Sequence, residues 1–462
     1  MVHKFTLDDT NIVLDVYSGA VHVVDKLTME ILEIIGDDYI GVPDLNGNEI
    51  VNRLPGYEKQ EILDAYGDIQ ELAREELLFT PDLYKTYAEN WHKQSVVKAM
   101  CLHIAHDCNL RCKYCFAGTG DYAGKRSLMP LEVGKKAIDF VIRHSGNRRN
   151  IEIDFFGGEP LMNFEVVKGI VAYAREEEKK YNKNFRFTIT TNGILLDEEK
   201  KQFINENMVN IVLSLDGRKE VNDRMRCRID GTGSYDSIVK KFQDIADSRG
   251  QDNYYVRGTF TRYNLDFAKD VLHFADLGFK QVSVEPVVAD EKEDYALRES
   301  DIEQIYREYE ELAKEYIRRR QEGNGFNFFH FMIDLEGGPC VAKRLSGCGS
   351  GHEYVAVTPD GDIYPCHQFV GNEEMKMGSV FSDGLDESIK TMFESSNVYT
   401  KEACKNCFAK FYCSGGCPAN AYLYNGNINS PLELTCKLQR KRVECALYCA
   451  VKIQEMKEEQ DG

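Results

Sequence analysis

The chain has little that a membrane or a polyanion would want. Its first nine residues, Met1 to Asp9, contain no apolar signal core. No run approaches the length of a membrane span. Basic residues number 57 against 76 acidic ones, a net charge of −19. A surface that acidic is a poor match for phosphate backbones or anionic lipid, so neither nucleic acid nor membrane is expected as a partner. A cytoplasmic location follows as an expectation. Tryptophan occurs once, as Trp91 in a polar connector, and reads as a docking anchor between domains. Cysteine, by contrast, is plentiful: 15 of 462 residues. In a cytosolic chain that argues for metal or redox chemistry rather than disulfides. Hydrophobic content of 43% is ordinary for a protein with a real core, and the length leaves room for about three domains.

The chemistry centres on His106-Asp107-Cys108-Asn109-Leu110-Arg111-Cys112-Lys113-Tyr114-Cys115. Its cysteines, Cys108, Cys112 and Cys115, form a C-x3-C-x2-C array that chance would give about 0.02 times in such a chain. A four-iron cube normally takes four thiolates. Three from one loop hold it and leave one iron open to another ligand. A zinc knuckle short of its fourth ligand is the alternative.

This array, with Tyr114 as the aromatic before its last cysteine, resembles the signature of radical S-adenosylmethionine (SAM) enzymes. The resemblance implies that the open iron chelates SAM and that reduction splits SAM into methionine and a 5′-deoxyadenosyl radical. Tyr114 would pack near the adenine.

Along the chain, residues 1–80 read as a small unit. Asn11 to Tyr17 and Ala20 to Val24 form a hairpin across Ser18-Gly19. A helix follows after Asp25, then a loop from Gly41 to Gly56, then a second helix from Tyr57 to Leu78. The unit is similar to winged-helix-like domains that bind the leaders of ribosomally made peptides, capturing an extended segment at a sheet edge. Residues 81–94 form a linker. Residues 95–336 alternate six strands with amphipathic helices: Lys98–Ala105, Ile151–Phe156, Phe187–Thr191, Ile211–Leu215, Tyr254–Thr261 and Gln281–Pro286. Six such units predict an α/β partial barrel of TIM-like (β/α)6 form, with its chemistry at the C-terminal strand ends. The charged stretch from Ile302 to Glu322 reads as a helix with a solvated face.

The strand exits carry suitable residues. Gly157 and Gly158 allow close backbone approach, and Glu159 supplies a carboxylate that can accept from an ammonium group. By resemblance Glu159 contacts the SAM amino group, while Asn192 and Ser214 contact SAM, Ser214 near the ribose. Asp216 is expected at the same mouth, facing substrate. Arg226 and Arg257 are candidate carboxylate partners. His103 and His106 read as buried, hydrogen-bonded side chains.

The third segment, 337–440, holds Cys340, Cys348 and Cys366, then Cys404-x2-Cys407-x5-Cys413-x3-Cys417, then Cys436. Four cysteines at that spacing should arise about 0.0005 times by chance. Tyr354–Val357 and Asp362–Tyr364 form a hairpin across Pro359-Asp360-Gly361. The segment resembles the SPASM extension of radical SAM enzymes, which carries two auxiliary four-iron clusters. The resemblance assigns Cys404, Cys407, Cys413 and Cys436 to an outer cluster. It assigns Cys348, Cys366 and Cys417 to an inner one, with Cys340 as its fourth ligand or, failing that, an open iron for a substrate thiolate. Zinc throughout is the alternative. A C-terminal helix, 441–462, carries Cys445 and Cys449 as packing residues.

Taken whole, the chain resembles maturases of cysteine-rich peptides, the SCIFF (six cysteines in forty-five residues) group. The resemblance implies three [4Fe-4S] clusters, SAM, a ribosomal precursor peptide and a one-electron reductant such as flavodoxin or ferredoxin. It implies thioether bonds from cysteine sulfur to an acceptor carbon, often of threonine. A sulfatase-type maturase is the first alternative, but it has aspartate where His367 stands. A non-catalytic iron-sulfur scaffold is the second.

Overall fold

The computed structural model describes residues 1–89, 95–122, 124–333, 335, 344–382 and 384–461. Trp91 and Cys340 lie outside the described residues.

The N-terminal unit is a three-stranded antiparallel sheet of β1 (Val2–Leu7), β2 (Thr10–Asp15) and β3 (Val21–Val24), with β2 central. Strand β1 was not expected. It returns into β2 through Asp8 and Asp9, both left-handed at φ 49° and 59°, so the turn is made without the glycine that usually announces one. Helix α1 (Lys26–Ile35) is capped by Asp25, whose side chain accepts from Thr28 N. Helix α2 (Gly47–Arg53), inside the expected loop, is capped by Asn46. Helix α3 (Lys59–Arg74) lays Ile62, Tyr66 and Ile69 against Val13, Ile31 and Ile50. A short helix α4 (Tyr84–Glu89) follows.

The six expected strands are all present and parallel: β4 (Ala99–His106), β7 (Asn150–Gly157), β8 (Asn184–Thr191), β9 (Met208–Ser214), β11 (Tyr254–Phe260) and β12 (Gln281–Pro286). Between β4 and β7 come β5 (Leu110–Cys112), β6 (Ser127–Leu128) and α5 (Leu131–His144). Helices α6 (Phe164–Tyr181), α7 (Glu198–Asn207), α9 (Tyr235–Ser248) and α10 (Phe267–Asp276) alternate with the later strands. Helix α8 (Lys219–Met225) and strand β10 (Arg226–Arg228) interrupt the repeat after β9. Side chains follow the period of two. Phe155, Ile189, Leu213, Val256 and Val284 are fully buried against the helices. Their neighbours Phe156, Thr190, Ser214, Arg257 and Glu285 face the lumen instead.

The sheet does not close. One edge ends with the short parallel strand β13 (Asn327–Phe328), after helix α11 (Ile302–Gln321). At the other edge β14 (Tyr354–Val357) adds in parallel to β4, pairing Tyr354 with Ala99 and Val357 with Leu102. The expected hairpin then forms, β14 to β15 (Asp362–Tyr364), with Gly361 at φ 88°, followed by β16 (Gly378–Ser379). The C-terminal cysteine segment is thus a continuation of the barrel sheet. It ends in helices α12 (Glu387–Glu394), α13 (Lys410–Cys413), α14 (Pro418–Asn425) and α15 (Glu433–Asp461). The last helix begins at Glu433 rather than 441, so Cys436 lies on it. Cys445 and Cys449 are fully buried in it, as packing residues.

Candidate active site

The three-cysteine loop is tied down from both sides. Asp107 accepts from Cys108 N at 2.8 Å, and Cys115 N donates to Cys112 O at 3.2 Å. Strand β10 pairs antiparallel with β5, setting Arg226 opposite Cys112. Lys113 N donates to Met225 O at 2.9 Å, so the stretch after β9 clamps the loop. Behind the loop, His103 and His106 are buried, with Nδ1 and Nε2 3.0 Å apart, as expected.

A cavity of about 500 Å³ opens on this loop. Cys108, Cys112 and Cys115 line it, and so do Cys413, Cys417 and Cys436. Phe116, Phe156 and His367 form an aromatic cluster on its wall, with ring centroids 5.2 to 6.5 Å apart.

Of the expected contacts, Gly157, Gly158, Tyr114, Asn192, Ser214, Arg226 and Arg257 line this cavity. Gly158 rests on the start of the cysteine loop: a Cβ there would sit 2.1 Å from Asp107 O. Glu159 does not line it. Its carboxylate, 1% exposed, accepts from Leu161 N (3.0 Å), Thr191 Oγ1 (2.8 Å) and Asn192 N (2.8 Å). Burial raises its pKa and those donors oppose the rise. The amide of Asn192 in turn donates to Asn109 Oδ1 at 2.8 Å and approaches Cys108 Sγ at 3.7 Å.

Asp216, expected at the mouth, is wholly buried. The Tyr114 hydroxyl reaches both its oxygens, at 2.8 and 2.7 Å, and accepts from Arg226 Nη1 at 2.9 Å. Arg226 Nη1 stands 3.8 Å from Asp216. Asp216 therefore anchors Tyr114 and Arg226 and is covered by them. Arg226 Nε is buried without a hydrogen-bond partner in a side chain that lines the cavity.

The far wall holds residues the sequence reading missed. Glu285 accepts from Arg442 Nη1 at 3.1 Å and lies 3.3 Å from His330 Nε2. Although burial opposes it, the guanidinium charges of Arg442 and Arg257 hold its carboxyl below the usual range, while burial and the same two arginines push His330 down to about 3, so the imidazole beside it is neutral at ordinary pH. Glu285 stands at a strand exit and was findable by the same rule as Ser214. Arg442, on the last helix, carries no local signal.

The C-terminal thiols gather into two groups. Cys366 lies within electrostatic range of Cys417 and Cys348. Cys436 lies within electrostatic range of Cys413 and Cys404, and Cys404 of Cys413 and Cys407. Among the described residues no three His, Cys, Asp or Glu side chains converge tightly enough to hold one metal ion. The sulfurs are built as acceptors: backbone N–H groups of Leu110, Gln368, Gly416 and Asn420 point at Cys108, Cys366, Cys413 and Cys417. Such donors favour thiolate over thiol. Burial works the other way, pushing Cys112 and Cys366 up to about 12. Thiols so placed give up their protons to a metal centre that supplies the compensating charge, so loading and deprotonation are coupled. Three thiols on one loop, glycines that admit close approach and the spare guanidinium N–H of Arg226 fit a cluster with a zwitterionic ligand.

Comparison with known proteins agrees. The radical SAM superfamily model matches residues 102–274, and the SPASM model, an iron-sulfur cluster-binding domain, matches residues 348–408. The cysteine-type anaerobic sulfatase-maturating enzyme of Clostridium novyi is 26% identical over 332 residues, 68% of this chain and 86% of its own. An uncharacterised protein of Archaeoglobus fulgidus is 28% identical over 72% of this chain and 77% of its own. Among solved structures, anSMEcpe with bound AdoMet shares the fold at TM-score 0.62 and 20% identity, over 77% of this chain and 98% of its own. Streptococcus suis SuiB bound to S-adenosylmethionine does so at TM-score 0.51 and 14% identity, over 92% of this chain and 98% of its own. SuiB has also been solved with its precursor peptide SuiA.

Proposed function

We propose, for a chain that carries a radical SAM domain followed by a SPASM iron-sulfur domain, that it modifies a ribosomally made, cysteine-rich precursor peptide of SCIFF type. The modification is a thioether between a cysteine sulfur and an acceptor carbon, often of threonine. One observation carries the reading: a single cavity is lined both by the three-cysteine loop and by Cys413, Cys417 and Cys436. A peptide bound in that space shares one enclosure with both sets of thiols.

Cys108, Cys112 and Cys115 hold the first [4Fe-4S] cluster. When bound, that cluster and SAM supply hydrogen abstraction from an unactivated carbon, which no side chain performs at neutral pH. Gly157 and Gly158 let the backbone lie close to SAM, and Asn192 and Ser214 offer it polar contacts. Arg226, pinned by Tyr114 and Asp216, presents its free Nε to the SAM carboxylate. Glu159 acts by holding Asn192. Arg257, on the far wall, faces the peptide. Cys404, Cys407, Cys413 and Cys436 hold an outer auxiliary cluster, and Cys348, Cys366 and Cys417 an inner one, with Cys340 as its fourth ligand or an open iron in its place. Flavodoxin or ferredoxin supplies electrons.

Per crosslink one S–H and one C–H are lost and one C–S bond forms. One SAM becomes methionine and 5′-deoxyadenosine, one proton is released, and the electron admitted at the start is returned.

Residues 1–80 bind the leader at the free edge of β3, adding it as a strand. The likeness to SuiB supports this, because it leaves out only 8% of the chain, too little to omit the whole N-terminal unit. Residues 81–94 serve as linker, 95–336 as barrel, and 337–440 as the cluster-bearing extension.

A sulfatase-type maturase is the second reading, favoured by the similarity to the Clostridium novyi enzyme. His367 on the cavity wall, where that type has aspartate, speaks against it. Reduced enzyme, SAM and a cysteine-rich precursor decide. Thioether formation gives a peptide lighter by two hydrogens per crosslink that keeps its sulfur. Formylglycine formation replaces the sulfur by oxygen. Unchanged peptide mass beside active 5′-deoxyadenosine production refutes the substrate assignment, and no 5′-deoxyadenosine at all leaves a scaffold. Iron should reach about twelve per chain.

A further inference from the structure

Lys401 takes no part in the reading so far. It is 3% exposed, in the turn that leads into Cys404, whose N–H donates to Lys401 O at 2.9 Å. Its side chain crosses to the loop between Cys413 and Cys417, where Nζ donates to Gly415 O at 2.8 Å. A Cβ on Gly415 would stand 3.2 Å from both Cδ and Nζ of the lysine, so the stem runs flush along that loop. The other buried lysine of the segment, Lys410, has Asp82 at 3.9 Å and the rings of Tyr17, Tyr399 and Phe411 around it. Lys401 has neither: among the described residues its hydrogen-bond partner is a neutral carbonyl, burial pushes its pKa below the usual lysine value, and the nearby thiols of Cys404, Cys413, Cys417 and Cys348 oppose that once they are ionised.

A buried ammonium without a counter-charge is among the costliest arrangements in a protein interior. The four thiols come from both groups, two from the outer set and two from the inner. A four-iron cube with thiolate ligands is anionic, and gains one more negative charge on reduction. We propose that Lys401 is a buried cation shared by the two auxiliary cluster sites, a positioning residue that makes both easier to reduce and so keeps them able to accept an electron from the substrate side. The inference rests on the C-terminal cysteines being cluster ligands.

The test uses the full chain, reconstituted without oxygen, in a background where Cys108, Cys112 and Cys115 are alanine so that only the C-terminal signals remain. Iron content and reduction potentials by paramagnetic-resonance titration are compared for Lys401 and for Lys401→Met, Lys401→Gln and Lys401→Arg. Both potentials should move to more negative values in the neutral variants and stay close to the parent in the arginine variant. Neutral variants that fail to load iron while the arginine variant loads it support the same conclusion. Neutral variants that load fully with unmoved potentials overturn it, as does an arginine variant that loads as poorly as the neutral ones. A parent chain without cluster iron in this segment overturns the cluster reading itself, and is told apart by its iron content before any variant is compared.

Discussion

Removing one oxygen tests the anchor under the first cysteine loop. In Tyr114→Phe the ring stays, but its hydroxyl no longer donates to Asp216 or accepts from Arg226 Nη1. Asp216 is fully buried and keeps Thr259 N at 3.2 Å and Arg226 at 3.8 Å. A hydrogen bond to a charged group contributes about 1.5–3 kcal/mol, and two are lost here. The guanidinium and carboxylate can close on each other into the space left, which returns part of that. The expected net cost is about 2 kcal/mol, a fall in melting temperature of roughly 4–8 °C if the barrel unfolds as one unit. Asp216→Asn should cost more, about 3–5 kcal/mol, because it leaves Arg226 buried without its counter-charge. Thermal unfolding of metal-free and reconstituted protein measures both. A Tyr114→Phe shift under about 1 °C, or the reverse order of the two variants, would refute the triad as a structural unit.

Gly158→Ala puts a Cβ 2.1 Å from Asp107 O, a backbone atom that cannot swing aside. It should cost about 1–3 kcal/mol and displace the loop enough to lose about four irons and 5′-deoxyadenosine production; Gly67→Ala, mid-helix in α3 with nothing within 4 Å, should instead gain about 0.5–1 kcal/mol. Burial, with Glu152 adding to it, raises Asp154 to about 6. The unfolded carboxyl ionises first as pH climbs from about 4, so folding is progressively penalised up to about pH 6 and by a constant amount above. Asp154→Asn should therefore melt higher than the parent at pH 7.5, with an advantage that shrinks from pH 6 to pH 5; a pH-independent difference contradicts this. Amide exchange at Val21–Val24 should slow when a precursor peptide binds, and unchanged exchange beside tight binding places the leader elsewhere.

Local pattern was enough where local physics decides. The six barrel strands were legible because each is a short apolar run whose parity the fold keeps, Ile151-Ile153-Phe155 outward to the helices and Phe156 inward. Strand β1 was not, because Asp8-Asp9 makes its turn with carboxylates in left-handed geometry. Helix α2 hid among Pro43, Gly41 and Gly56. Asp216 shares the parity of Ser214 and was rightly placed at a strand exit. What covers it, Tyr114 and Arg226, arrives from another strand's loop and from the clamp after α8, and no spacing rule reports that. Glu159 was found by its motif, yet its carboxylate points to the β8 exit because Thr191 and Asn192 supply donors there. Arg442 reaches Glu285 across 157 positions of sequence.

The long-range pairing with most consequence is β14 on β4. Its register, Tyr354 opposite Ala99, adds the hairpin of the cysteine segment to the barrel sheet beside β4, and His367, just after β15, lines the same cavity as Cys108. The N-terminal unit is sewn in as well. His3 stacks on Phe408 at 3.4 Å and bonds Glu444 at 3.0 Å, while Tyr399 donates to Asp82 at 2.8 Å. Leu14 and Val16 share a core with Phe411 and Leu447. Cutting the chain after residue 80 would expose that shared core, so loss of peptide binding in such a truncation would not by itself locate the leader site. Single substitutions on the free edge of β3, which leave Leu14 and Val16 in place, separate recognition from folding where a deletion cannot.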